Sequence, residues 1–109
     1  MGGIDLVVTD LDGTLWDHNV EVHASARSAL DVLANAGVPV VAATGRRKVS
    51  TLRGFETAGL TFPAITVNGA YGFIPSVEDA GEREFHRHPF DVETGLAVLE
   101  IYRSFGQVP

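Results

Sequence analysis

The chain has 109 residues, no cysteine and a formal net charge of −6. That length bounds it to one domain or part of one, and 45% hydrophobic with 20% charged residues is a globular rather than a disordered composition. The acidic balance argues against nucleic acid as a partner, no apolar run is long enough to span a membrane, no secretory leader is evident, and without cysteine there is neither a disulfide framework nor a thiolate metal site, so a cytoplasmic location is expected.

Ile4 to Thr9 reads as a nearly continuous apolar strand of the kind found at the centre of a parallel sheet, buried on both faces. It runs directly into Asp10-Leu11-Asp12-Gly13-Thr14-Leu15. Carboxylates placed so close at the end of a buried strand repel each other, and burial makes ionising both harder. A divalent cation removes the conflict, because hard oxygen ligands suit Mg²⁺. Such a pair can also divide its labour, one carboxylate attacking and the other moving protons. The plainer alternative is an Asp-Gly turn after a strand. Residues 13–22 form a polar loop whose one large apolar residue, Trp16, is either a plug on the core or a lip over a site.

From about Ala24 to Ala36 the periodicity predicts a helix with Ala26, Leu30, Leu33 and Ala34 on one face and Gly37 as its stop. Val38 to Ala43 reads as a second strand, with Pro39 tolerated at its beginning. Thr44-Gly45-Arg46 breaks that run, and a helix over roughly Arg47 to Ala58 follows, with Val49, Leu52 and Phe55 spaced for one face and Gly59 as its end. Ala64 to Val67 is a short third strand that stops at Asn68-Gly69. Alternating strands and helices are the pattern of an α/β domain with a parallel sheet. Tyr71 to Ile74 and Glu82 to His88 then read as an antiparallel hairpin around a loop containing Asp79-Ala80-Gly81. Asp91 to Phe105 is a final helix, with Asp91 as N-cap and Val92, Leu96, Leu99 and Tyr102 on one side.

In open parallel sheets, ligands bind beyond the carboxyl ends of the strands, and right-handed crossovers bring those ends to one edge. The first predicted strand ends at Asp10 and Asp12, the second at Thr44 and the third at Asn68. The charge is distributed to match. Residues 1–22 carry five acids and no lysine or arginine, whereas residues 44–53 carry Arg46, Arg47, Lys48 and Arg53 and no acid. Cations at a helix N-terminus oppose its dipole. An anion bound there resolves the conflict, since backbone N–H groups and arginine both favour phosphate. Arg47 and Lys48 are expected to reach solvent, and Arg46, beside Gly45, to face a ligand. Thr44 is either a donor to that ligand or a simple helix cap. His86 and His88 share one strand face, but no third ligand is visible near them.

Taken together, Asp10-Leu11-Asp12-Gly13-Thr14-Leu15 resembles motif I of the haloacid dehalogenase-like hydrolase superfamily. Ala43-Thr44-Gly45-Arg46 resembles motif II of its Cof-type branch, whose members carry a large cap after the third strand, and Val67-Asn68-Gly69-Ala70 resembles that branch's turn after the third strand. The resemblance covers essentially the whole chain and implies a Rossmann-like α/β core, with a hairpin leading into the start of an α+β cap. Residues 1–89 would be the N-terminal part of the core and 90–109 the start of the cap. It further implies a Mg²⁺-dependent phosphomonoester hydrolase acting on a small phosphorylated metabolite such as a sugar phosphate, through an aspartyl phosphate. Asp10 would be the nucleophile and Asp12 the general acid and base. Mg²⁺ would be held by the Asp10 carboxylate and the Asp12 backbone carbonyl. Leu11, Thr44, Gly45, Arg46 and Asn68 would surround the phosphate, and residues 13–22 would form a mobile loop beside the site. The family's later lysine and its Gly-Asp-x-x-Asn-Asp-like segment are not found in this sequence, whose only lysine is Lys48, so the chain is expected to be an N-terminal piece of a longer hydrolase. Two other readings remain open: a haloacid dehalogenase-like phosphate-binding or interaction protein without turnover, and a phospho-receiver signalling domain. The receiver needs adjacent acids after its first strand and an aspartate after its third, where this chain has Leu11 between the acids and Asn68.

Overall fold

The computed structural model describes residues 3–75 and 82–109. Its strands are β1 (Val7–Thr9), β2 (Val40–Ala43), β3 (Ala64–Thr66), β4 (Tyr71–Ile74) and β5 (Arg83–Arg87). They form one sheet in the order β1-β2-β3-β4-β5, so each strand pairs with its neighbour in the chain. β1, β2 and β3 run parallel, in register Val7↔Val40 and Ala42↔Ala64. β4 turns back antiparallel on β3, and β5 on β4, with a register shift at Gly72/Phe73. The α/β architecture with a parallel sheet and an antiparallel hairpin is therefore as expected. The predicted loop at Asp79-Ala80-Gly81 lies outside the described residues.

Three helices connect or follow the strands: α1 (Ala24–Asn35), α2 (Lys48–Ala58) and α3 (Val92–Ser104). Their ends follow the local chemistry. The His23 side chain accepts from the Ser25 N–H at the start of α1. Gly59, at φ 67, closes α2 in the left-handed conformation that only glycine adopts without penalty. Asp91 caps α3, accepting from the Thr94 N–H at 2.7 Å.

The core is small and aromatic. Leu11, Leu15, Trp16, Ala42, Phe55, Ala58, Ala64 and Phe73 pack together under the sheet, with Phe55 meeting Trp16 and Phe62 edge to face. Two expectations need correcting. β1 is shorter than the apolar run that contains it, and it stands at one end of the described strands. It pairs only with β2 among the described strands, and Val8 is left 55% exposed beside exposed Ile4 and Leu6. On α2 the buried face is Thr51, Gly54, Phe55 and Ala58, while Val49 points to solvent. The reason is Trp16, which is 2% exposed and occupies the space over Gly54. A β-carbon at Gly54 would lie 2.7 and 2.8 Å from the Trp16 ring. On α3, whose expected apolar side is Val92, Leu96, Leu99 and Tyr102, no residue is buried among the described residues.

Candidate functional site

The cleft at the carboxyl ends of the parallel strands has a volume of about 440 Å³ and is lined by Asp10, Ala43, Thr44, Gly45, Ile65, Asn68 and Gly69. Asp10, Thr44 and Asn68 are the three residues expected where the first three strands stop. Parallel pairing brings them to one edge because each strand enters the sheet in the same direction.

The chain beyond β1 is wound tightly. The Leu11 carbonyl accepts from the N–H groups of Thr14, Leu15 and Trp16 at 3.0–3.2 Å, and Gly13 takes φ 77. The Leu11 side chain is fully buried in the core, so only its backbone reaches the site. That N–H donates to Asp10 Oδ1 at 2.8 Å, and the Thr14 hydroxyl lies 3.4 Å from Asp10 Oδ2. The first bond fixes one carboxylate oxygen; the second is long, so Oδ2 is the less engaged oxygen.

The β2 and β3 ends are tied to each other beyond their strands. Thr44 donates its N–H to the Ile65 carbonyl, Val67 to that of Arg46 and Asn68 to that of Thr44, at 2.9–3.2 Å. Val67, Asn68 and Gly69 have φ of 52, 53 and 101, three left-handed residues in succession. For a β-branched valine this conformation is costly, and such strain persists only where the surroundings enforce it. Gly45 is required by close approach: a β-carbon there would stand 2.9 Å from Asn68 Oδ1. Thr44 is not the cap of α2. Its buried hydroxyl accepts from the Arg46 N–H at 3.0 Å, while the N-cap of α2 is Arg47, which makes no side-chain cap bond.

Asp12 and Arg46 stand beside the cleft rather than in its lining. They form a bidentate ion pair, with Arg46 Nε donating to Oδ2 and Arg46 Nη2 to Oδ1, both at 2.7 Å. Trp16 Nε1 also donates to Asp12 Oδ1 at 3.0 Å, and the guanidinium lies over the Trp16 ring, 5.4 Å from its centre. The Arg46 guanidinium holds the Asp12 carboxyl at about 2, below the ordinary carboxylate range, with the Trp16 donor assisting and partial burial working against it. The clamp was invisible in the sequence. Of the two places the sequence allows Trp16, plug or lip, it is a plug whose polar edge serves Asp12. Ser50, which accepts from Arg46 Nη1 at 3.1 Å, and Gly54 carry no signal in the sequence that ties them to the site.

The remaining cations behave differently. Lys48 pairs with Glu82 and lies over Tyr71 and Phe73, and Arg47 is exposed as expected. His86 and His88 are both exposed, and no group of three His, Asp or Glu suited to a metal occurs among the described residues. No described helix is long and apolar enough to cross a membrane.

A family model described as haloacid dehalogenase-like hydrolase matches residues 7–108. Phosphatase YwpJ of Bacillus subtilis is 30% identical over 99 residues, spanning 91% of this chain and 33% of that protein. A glucosyl-3-phosphoglycerate/mannosyl-3-phosphoglycerate phosphatase of Methanococcoides burtonii is 34% identical over 70 residues, 64% of this chain and 26% of its own length. Among solved structures, a haloacid dehalogenase-like hydrolase from B. subtilis superposes with a TM-score of 0.80 at 28% identity, covering 94% of this chain and 34% of that one. The chain thus spans about a third or less of the length of these curated relatives.

Proposed function

The chain belongs to the haloacid dehalogenase-like hydrolases, and from that premise we propose that it carries the nucleophile, the proton-moving acid and the phosphate cradle of a phosphomonoester hydrolase acting on a small phosphorylated metabolite. The observation that carries this reading is the convergence of Asp10, Thr44 and Asn68 on one cleft at the strand ends. Two relatives are phosphatases by name, one of them for phosphoglycerates bearing a sugar, which favours a sugar-phosphate or phosphoglycerate substrate.

In this scheme the less engaged Oδ2 of Asp10 attacks phosphorus. A bond forms from Asp10 to phosphorus as the bond to the leaving alcohol breaks, giving an aspartyl phosphate and an alcohol that takes its proton from Asp12. Asp12 then removes a proton from water as water displaces Asp10 from phosphorus. Held by Arg46, Asp12 is ionised and ready for this second half; to serve in the first half it must take up a proton and loosen that pairing. Thr44 and the turn at Asn68 offer donors to the phosphoryl oxygens, and Gly45 lets them approach. The α2 N-terminus beside them favours an anion.

Mg²⁺ fits this donor set. The Asp10 carboxylate and the Asp12 backbone carbonyl are hard oxygens, and Mg²⁺ is commonly held by one or two carboxylates with water and substrate phosphate completing its shell. When bound, it would neutralise negative charge between nucleophile and phosphate. Residues 1–89 are proposed as core and 90–109 as the beginning of a cap.

The test is hydrolysis of p-nitrophenyl phosphate by the full-length protein with Mg²⁺ and after chelation. Turnover that needs the metal supports the reading, and its absence under both conditions rejects it. Thr44→Val gives a finer check. Losing one donor to a charged phosphoryl group is expected to lower kcat/KM by about 1.5–3 kcal/mol, beside a smaller fall in melting temperature from the Arg46 N–H that loses its acceptor. A normal kcat/KM would restrict Thr44 to its bond with the Arg46 N–H.

A further inference from the structure

The sequence places Arg46 facing a bound ligand, but four of its five N–H donors are already committed. Nε and Nη2 grip the two oxygens of Asp12, and Nη1 lies 3.1 Å from the Ser50 hydroxyl and 3.2 Å from the Ser50 carbonyl. The flat face of the guanidinium rests on Trp16. Trp16 is fixed in turn by Phe55 at its edge and by the bare backbone of Gly54 beneath it. A planar cation with its fork satisfied and its face stacked has little freedom left. The carboxylate it grips is equally constrained. An ionised carboxylate offers about four acceptor positions, of which Arg46 takes one on each oxygen and Trp16 a second on Oδ1. Among the described residues, this leaves Oδ2 as the oxygen with a position free to meet a proton.

We propose that Arg46, braced by Trp16, Ser50 and Gly54, is the positioning residue for Asp12: its fork sets where the Asp12 carboxylate stands and which oxygen it presents, and it acts on the reaction through Asp12 rather than by holding the phosphoryl group. The inference rests on the phosphatase reading and adds a residue chain from α2 to the proton-moving acid.

A double-mutant cycle in the full-length protein tests it. Arg46→Ala should lower kcat about 10²-fold, the cost of a misplaced catalytic group, while KM and inhibition by inorganic phosphate stay unchanged. Arg46→Lys keeps the charge but not the fork, so it should fall near the alanine variant, and added guanidinium should partly restore Arg46→Ala. In an Asp12→Asn background, Arg46→Ala should cost nothing further, because the group it positions is gone. Gly54→Ala, which pushes on the Trp16 ring without removing any polar group, should reproduce the kcat loss more weakly. The proposal is overturned if Arg46→Ala raises KM and weakens phosphate inhibition equally with and without Asp12, which would make Arg46 a phosphate ligand. It is also overturned if Arg46→Ala leaves kcat unchanged. Asp10→Asn separates the two levels. If wild type is inactive, or if Asp10→Asn matches it, the phosphatase reading falls and Arg46 with it. If Asp10→Asn is dead and the cycle is additive, only the positioning role falls.

Discussion

Asp10→Asn is expected to abolish phosphate-ester turnover in the full-length protein, by ~10⁴–10⁶-fold, the scale seen when a catalytic nucleophile or its close partner is removed. The substitution keeps the shape of the side chain and an oxygen able to accept the Leu11 N–H, so the turn after β1 should survive. What it removes is the anionic oxygen proposed to attack phosphorus. Two measurements make the result specific: steady-state hydrolysis of p-nitrophenyl phosphate, and acid trapping of labelled phosphoprotein. The variant should show neither turnover nor trapped phosphate while keeping the wild-type circular dichroism spectrum. Near-normal hydrolysis would place the nucleophile elsewhere and undo the assignment of the cleft.

The largest stability loss is expected for Trp16→Ala, about 3–5 kcal/mol, the cost of truncating a large buried aromatic. Trp16 is the only tryptophan in the chain, and its ring fills the space between Phe55 and Gly54. Alanine would leave that space unfilled and would also strip Asp12 of the Nε1 donor and Arg46 of its platform. Trp16→Phe separates the two effects: most of the packing remains while the hydrogen bond goes. Urea unfolding followed by far-UV circular dichroism should rank wild type, Trp16→Phe and Trp16→Ala in that order. An alanine variant within about 0.5 kcal/mol of wild type, the range of ordinary surface changes, would show that the plug carries no weight.

The parts of the site that could be read in advance are those dictated by local chemistry. Asp10, Thr44 and Asn68 announce themselves because each stops an apolar run, and parallel strands must deliver their ends to the same edge. Gly59 and Asp91 were legible for the same reason, since a left-handed stop and an N-cap are properties of a few consecutive residues. What escaped depends on contacts between distant segments. Nothing near Trp16 in the chain reveals that its nitrogen serves Asp12 or that its face supports Arg46. The buried face of α2 departs from its apolar spacing because a small residue, Gly54, is covered by the Trp16 ring from the loop after β1, and Val49 faces outward. For β1, an apolar run reports burial on both faces without saying what lies beside it, and among the described strands its one neighbour is β2.

That sheet order has a consequence for how the site is made during translation. Among the described residues, β1 to β5 each pair with their neighbours in the chain, so none of these pairings needs a strand from elsewhere to be inserted first. Contacts between segments close in sequence are quick to form. The ribosome therefore releases Asp10, Thr44 and Asn68 in the order in which their strands dock, and the cleft can close on the nascent chain as soon as β3 and its turn have emerged. The outer edge of β1, with Ile4, Leu6 and Val8 beside it, is the first of these surfaces to be made and stays open while the others pair. An unpaired strand edge flanked by apolar side chains invites association, so until another segment covers it this edge is the surface of the described strands most exposed to unwanted pairing.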